Sequence, residues 1–352
     1  MDITPYLKLV VEKSASDIFF TVGSNVRIKV SGKVIGVGKT ILTSKLTEEI
    51  AHDIMNEEQR IFFAENLEID FAISWPATDA RFRINAFKQQ GLSSIVMRYI
   101  NAKVPTMADL NLPIILGDLI LKKRGLILMV GATNSGKSTT LAAMIDHRNQ
   151  NQAGHILTIE DPVEFVHVHK KSLINQRELG VDTHSYINAL RSAMRESPDV
   201  IFIGEIRDRE TMSAALELSN TGHLAISTLH ANNANQAMQR VVNMFPQEQH
   251  KKLFMDLSLN LIGVISQRLV VGVDNKRVGA VEIMINNPFI SDLILKGKID
   301  EIKEAMSNSG TEGMQTFDTA LHDLYQSGRV SLEEALANAD SSTNLQTKIT
   351  FG

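Results

Sequence analysis

Two rhythms of apolar residues run through this chain, one at helical spacing and one alternating at period two, and they trade places repeatedly. Residues 6–14 set Leu7, Val10 and Val11 on one helical face. Residues 17–22 then read as a strand ending at Gly23, and Val26-Arg27-Ile28-Lys29-Val30 alternates strictly. Ser31-Gly32-Lys33 reads as a hairpin turn into a strand over 34–37. Residues 46–66 read as helices, and 69–74, 81–87 and 94–100 as strands. In the middle one of these, Phe82, Ile84 and Ala86 share a face while Arg81 and Arg83 project from the other. Residues 101–112, with Pro105 inside and Pro113 at the edge, read as an inter-domain linker.

Beyond that point the strands become continuous apolar runs, as buried parallel strands do. They fall at 126–130, 155–161, 199–205 and 221–230, with helical patterns at 139–145 and from about 209. Residues 253–267 read as one amphipathic helix, followed by a strand pair at 268–273 and 277–285 around Asp274-Asn275-Lys276. After Pro288 the pattern is helical over 289–296, 299–306, 317–326 and 331–338, with Thr316 or Asp318 as the cap of the third. Residues 339–352 read as a polar, mobile tail. Strands alternating with helices make the fold class α/β.

Composition sharpens this only at the margins. A chain of 352 residues, 43% hydrophobic and 22% charged, is long enough for two domains with sizeable cores. A net charge of −4 gives no global attraction to nucleic acid or anionic lipid. There are no cysteines, which excludes disulfides and thiolate zinc sites. No apolar run nears the ~18 residues of a membrane span, and the first residues lack a basic start and apolar core, so a cytoplasmic location is expected.

The candidate chemistry lies in the second half. Gly131, Ala132, Thr133, Asn134, Ser135, Gly136, Lys137 and Ser138 fit G-x-x-x-x-G-K-[ST], with Thr139 opening the following helix. A strand before and a helix after are the context in which such a loop converges backbone N–H groups on phosphate. Lys137 would bridge the outer phosphates and Ser138 would ligate Mg²⁺. Glu160, Asp161 and Glu164 follow a strand end, where open α/β sheets place their ligands and where a carboxylate can activate water. Glu205 ends the 199–205 run and would hold Mg²⁺ directly or through water. His230 ends the 221–230 run, where an imidazole would sense a γ-phosphate. His167 and His169 lie two apart on an expected strand, but no third ligand is near, so no metal is expected there.

Four segments, in order, resemble the secretion-ATPase superfamily, and within it the type IV pilus retraction motors of the PilT/PilU kind. Besides the phosphate loop, Ile159-Glu160-Asp161-Pro162-Val163-Glu164-Phe165 matches the family's Asp box. Residues 198–208 match its Walker B segment, and Thr221-Gly222-His223 through Thr228-Leu229-His230 match its His box. The resemblance covers nearly the whole chain. It implies a PAS-like N-terminal α/β domain, a RecA-like P-loop ATPase domain with C-terminal helices, and a homo-hexamer that binds ATP with Mg²⁺. It implies Glu164 as catalytic glutamate, Glu205 as Walker B acid, His223 and His230 as the His-box pair, and Arg83 and Arg98 as strand arginines directed at nucleotide. The expected domains are 1–100, a linker at 101–112, an ATPase core at 113–288, helices at 289–338 and the tail at 339–352.

Three positions depart from the family pattern. Asn134 replaces a glycine of the loop, at a site where Asn tolerates positive φ. Pro288-Phe289-Ile290-Ser291-Asp292-Leu293-Ile294-Leu295 keeps the apolar spacing of a retraction segment that carries two arginines, and lacks both. Phe19 stands where PilT-like chains carry His. The last two departures, with residues 313–318 and the extended tail, resemble the PilU branch, which acts with a PilT-like ATPase. The absence of cysteine argues against the extension and type II secretion ATPases, which carry a tetracysteine zinc module. The expected function is a motor driving or assisting pilus retraction at the inner-membrane face, partnered by a PilT-like ATPase and a membrane platform protein, without nucleic acid and without membrane insertion. Two alternatives stand beside it: an accessory binding subunit with dispensable hydrolysis, and a RecA-like nucleic-acid translocase, which the acidic balance disfavours.

Overall fold

The computed structural model describes residues 1–30, 32–75, 80–100 and 104–351; Ser31 of the expected hairpin turn and residues 101–103 of the expected linker lie outside these. The chain divides into two compact units, Met1–Lys103 and Val104–Gly352.

The first unit has helix α1 (Thr4–Glu12), strands β1 (Asp17–Phe20), β2 (Asn25–Val30) and β3 (Lys33–Ile41), helices α2 (Ser44–Ile54) and α3 (Glu57–Asn66), and strands β4 (Glu68–Trp75), β5 (Ala80–Gln89) and β6 (Leu92–Ile100). The strands form one antiparallel sheet in the order β3-β2-β1-β6-β5-β4. Phe82, Ile84 and Ala86 of β5 point into the core with Ile18, Ile28 and Met97, and meet Leu7 and Val10 of α1 and Ile50 of α2. The intervening Arg83 is exposed, as the alternation requires. Both longer helices start on side-chain caps: Thr43 accepts from the Leu46 N–H, and Asn56 and Gln59 cap each other reciprocally.

The second unit opens with α4 (Ile115–Ile120), β7 (Gly125–Val130), α5 (Lys137–Asn151), β8 (Gly154–Glu160), β9 (Ser172–Glu178) and α6 (Tyr186–Ala193). It continues with β10 (Val200–Ile203), α7 (Arg209–Asn220), β11 (Leu224–Leu229), α8 (Ala234–Asn243), α9 (His250–Asn260), β12 (Leu261–Val271) and β13 (Arg277–Ile285). It closes with α10 (Pro288–Leu295), α11 (Ile302–Ser307), α12 (Phe317–Gln326), α13 (Leu332–Asn338) and α14 (Ser342–Phe351). The sheet order is β13-β12-β7-β11-β10-β8-β9, parallel except for β13. Every residue of β7, β10 and β11 is buried, because helices cover both faces. Leu126, Leu128 and Val130 pack with α6 to α9, whereas Ile127 and Met129 face α4 and α5. This order inserts β11 and β10 between β7, which leads into the glycine-rich loop, and β8, so four parallel strands end along one edge.

Two expectations need correction. The helix expected over 253–267 stops at Asn260, and Leu261-Ile262-Gly263-Val264-Ile265-Ser266-Gln267 is the first half of β12. It pairs in parallel with β7 on one side and antiparallel with β13 on the other. A Cβ on Gly263 would collide with the Met284 carbonyl of β13, so that close pairing needs glycine. The tail is not an unstructured end: α14 buries Leu345 against a cluster holding Val270, Phe317 and Leu321. The cap of α12 is Thr316, whose hydroxyl accepts from the Thr319 N–H, while Asp318 instead accepts the Asp340 N–H at 2.8 Å. No described helix is long and apolar enough to cross a membrane.

Candidate active site around the phosphate-binding loop

The loop between β7 and α5 is shaped by its glycines and one asparagine. Gly131 has φ +155°, and a Cβ there would collide with the Ser135 hydroxyl and lie 2.6 Å from the Gln267 carbonyl. Gly136 has φ +87°, and Asn134 takes φ +63°, the left-handed conformation that Asn adopts more readily than most residues. Lys137 folds its ammonium back onto the loop, donating to the Gly131 and Ala132 carbonyls at 2.7 and 2.8 Å. Burial lowers the Lys137 pKa, while the carboxylates of Glu205 and Glu164 act against that fall. Both acids are thus within electrostatic reach of this lysine.

Those acids arrive because parallel strands end in register. Val130 of β7 pairs with Leu229 of β11, Ser227 with Ile203 of β10, and Ile203 with Ile159 of β8. The loop, Glu160 to Glu164, Glu205 and His230 all leave the same carboxyl edge of the sheet, where ligands of such sheets bind. The Glu205 carboxylate meets His230 Nε2 at 3.2 Å through one oxygen and Arg207 Nε at 2.8 Å through the other. Gly204 before it is forced: a Cβ would lie 2.8 Å from the Tyr186 hydroxyl and 3.1 Å from the Ile159 carbonyl. The Tyr186 hydroxyl, buried and beside Asp161 and Glu205, is held well above its usual pKa.

Glu160 is a strongly perturbed acid. Burial raises its pKa to about 7, against hydrogen bonds from Thr158 and Gln176 and from the Glu164 backbone. The Thr158 hydroxyl donates at 2.6 Å. Glu160 thus braces the segment that presents the exposed Glu164. That segment is not a strand, contrary to expectation for His167 and His169. It is pinned by β9: Glu178 accepts the Val163 N–H at 3.1 Å, and Gln176 accepts the His167 N–H at 2.8 Å and donates to the Phe165 carbonyl at 2.8 Å. His167 is buried and kept neutral, its pKa lowered to about 4 by desolvation. His169 accepts from the Ile174 N–H. Among the described residues no group of three or more His, Asp and Glu could by itself hold a metal ion.

Within this unit, His223 is not brought to this edge. His223 precedes β11, at the opposite end of the strand from His230, on the order of 20 Å away at strand rise. Its carbonyl accepts the Gly125 N–H at the start of β7, and its ring contacts Thr221 and the Leu218 carbonyl. The expected His-box pair is therefore split within the chain, and only His230 stands near the loop. Arg83 and Arg98 belong to the first unit, where they face each other across β5 and β6. Arg98 Nε donates to the buried Asp17 carboxylate at 3.0 Å.

The strand β12, of which only residues 261–267 read as helix in the sequence, forms the other side of the loop. Buried Gln267 accepts the Thr140 hydroxyl of α5 at 2.7 Å. Arg268 lies 3.9 Å over the Phe317 ring and donates to Asp340 at 2.6 Å and to the Asn338 carbonyl at 2.8 Å. A cleft of about 860 Å³ lies between the loop residues 132–135 and a wall including Gln267, Arg268, Arg277, Lys303 and Asp340. Burial works to raise the Asp340 pKa, but Lys303 and Arg268 hold it below the usual carboxylate range. Glu282, buried on β13, has its pKa raised by desolvation and accepts the Ala234 N–H at 2.8 Å, fixing the turn that follows His230.

A glycine-rich loop under a lysine, with carboxylates at adjoining strand tips, defines a P-loop nucleotide hydrolase. A model of the Type II/IV secretion system protein family matches residues 1–348. The type IV pilus ATPase PilU of Pseudomonas aeruginosa is 48% identical over 353 residues, covering 100% of this chain and 92% of that one. The type IV pilus retractation ATPase PilT of the same organism is 44% identical, covering 96% and 98%. A crystal structure of the pilus retraction motor PilT with bound ADP superposes with a TM-score of 0.93 at 39% identity, covering 98% of this chain and 99% of that one. The chain belongs to the Type II/IV secretion system protein family, and within it is an ATPase of the pilus retraction type. Neither the accessory-subunit alternative nor the nucleic-acid translocase is favoured by these relatives.

Proposed function

We propose that this chain hydrolyses ATP on the loop of residues 131–139 and that turnover drives or assists retraction of a type IV pilus. The observation that carries the reading is the common carboxyl edge from which the loop, the segment bearing Glu164, Glu205 and His230 leave parallel strands in register. The triphosphate would displace the Gly131 and Ala132 carbonyls from Lys137, whose ammonium then spans the outer phosphates. The N–H groups opening α5, with Ser138 and Thr139, would take the remaining oxygens. Ser138 and Glu205 offer hard oxygen donors of the kind Mg²⁺ takes alongside phosphates and water, so the donor set fits that ion. When bound, Mg²⁺ would neutralise phosphate charge. Glu164, exposed and next to the loop, accepts a proton from water as its oxygen attacks the γ-phosphorus and the bond to the ADP oxygen breaks. His230, tied to Glu205, reports the γ-phosphate to the turn before α8. Arg83 and Arg98 are proposed to stabilise phosphate charge during turnover.

We further propose a cytoplasmic homo-hexamer at the inner-membrane face, working with a PilT-like ATPase on a membrane platform protein. The proposed division is 1–100, 101–112, 113–288, 289–338 and 339–352, with α14 occupying most of the last segment. The test is phosphate release by the purified chain with and without Mg²⁺, together with a retraction assay with and without a PilT-like ATPase. Mg²⁺-dependent release and faster retraction are expected. Absence of release under all conditions would overturn the reading.

A further inference from the structure

We infer that Gln267 of β12 is a positioning residue that fixes the arch of the phosphate loop, and so sets nucleotide affinity rather than the chemical step. The inference rests on the reading of the loop as the ATP site. Three contacts converge on this residue. Its buried side chain accepts the Thr140 hydroxyl from the first turn of α5 at 2.7 Å. The same amide occupies the space a side chain at Gly136 would need, its Nε2 lying 2.8 Å from where a Gly136 Cβ would stand. Its backbone carbonyl lies 2.6 Å from where a Gly131 Cβ would stand. Gln267 follows Ser266, which pairs with Val130, the last residue of β7 before the loop departs. It is therefore the point where the neighbouring strand outlasts β7 and supports the loop from below.

One residue thus stands against both glycines that bracket the loop, Gly136 through its side chain and Gly131 through its backbone carbonyl, and its side chain bonds the helix that ends the loop. The phosphate-facing N–H groups lie between those glycines, so their convergence depends on the distance Gln267 sets. None of its atoms need touch the nucleotide. Removing the amide relaxes the loop before binding, and binding must then order it. The Thr140 hydroxyl is the other half of the same bond, and its loss should have the same effect.

The test measures affinity for a fluorescent ADP analogue and for Mg·ATP, alongside kcat, in the full-length chain. Gln267→Met keeps volume and removes the hydrogen bond; Thr140→Val removes only the donor, and Thr140→Ser keeps it. We expect Gln267→Met and Thr140→Val each to weaken nucleotide binding about tenfold, the scale of one buried neutral hydrogen bond, with kcat at saturation within about threefold of the parent. Thr140→Ser should bind within about twofold of the parent. The double variant Gln267→Met/Thr140→Val should bind no more weakly than the worse single, because both remove one interaction. Unchanged affinity in both singles, or losses that multiply in the double variant, would overturn the inference. So would a fall in kcat and melting temperature with affinity intact. A parent chain that binds no nucleotide would instead overturn the ATP-site reading itself.

Discussion

The two sides of the phosphate loop are built on different terms. On the acid side, residues 131–139, Glu160 to Glu164, Glu205 and His230 each follow a strand directly, and parallel register delivers them to one edge. On the β12 side, Gln267 bonds Thr140 of α5, and Arg268 and Asp340, from distant parts of the chain and bonded to each other, line the cleft that the loop also lines. In the function proposed above, the acid side would carry the reacting groups and the β12 side would fix where they stand. Changes to the first should lower turnover or phosphate binding outright, and changes to the second should act through affinity and stability.

The largest effect expected is on the acid side. Lys137→Ala removes the only side-chain cation of the loop and should weaken Mg·ATP binding at least a hundredfold, about 3 kcal/mol for lost charge-assisted bonds, read by nucleotide titration. A loss under tenfold would mean that the triphosphate is held elsewhere. Next is Gly204→Ala, which places a methyl against the Tyr186 hydroxyl and the Ile159 carbonyl. Overpacking there should cost about 1–3 kcal/mol in chemical denaturation and displace Glu205. Wild-type stability and activity in that variant would show that the strand tip yields more than its packing implies.

On the β12 side, Leu345→Ala should cost about 2–4 kcal/mol, because Leu345 fills the cluster under α12. Were the cost near zero, α14 would not be held against this unit in solution. The smallest effect is a pH dependence. The pKa of Glu160 is raised in the fold to about 7 from an ordinary value near 4.5. Between these values the folded state holds a proton that the unfolded state has lost, so the Glu160 contribution is full below about pH 4.5 and declines as pH rises to about 7. Glu160→Gln should remove that decline, so the stability gap between parent and variant should move in favour of the variant as pH rises. Parallel stability curves across this window would mean that Glu160 is ionised in the fold throughout.

The acid side was legible in the sequence because each of its groups is adjacent to the strand that places it. A phosphate cradle needs contiguous residues, and Gly131 to Ser138 supplies them in one reading frame. Asn134 fitted its left-handed position for the same local reason. The two histidines differ under the same rule: His230 follows β11, where ligands gather, whereas His223 precedes it. The β12 side was hidden by an uninterrupted passage from helix to strand. Between Leu253 and Gln267 no glycine–proline break or turn cluster marks Asn260, and a short apolar run fits either element. Losing that boundary hid Gln267. The tail escaped notice because Leu345 and Ile349, one helical turn apart among mostly polar residues, are too few to read as a period, although Leu345 is almost fully buried.

The central claim is that Glu164 acts on water at a triphosphate held by the loop. Single-turnover hydrolysis by Glu164→Gln, with Mg·ATP affinity measured on the same preparation, tests it most directly. The account predicts affinity within about threefold of the parent and a phosphate-release rate at least a hundredfold lower, the range of a lost general base. An unchanged rate at unchanged affinity would contradict it.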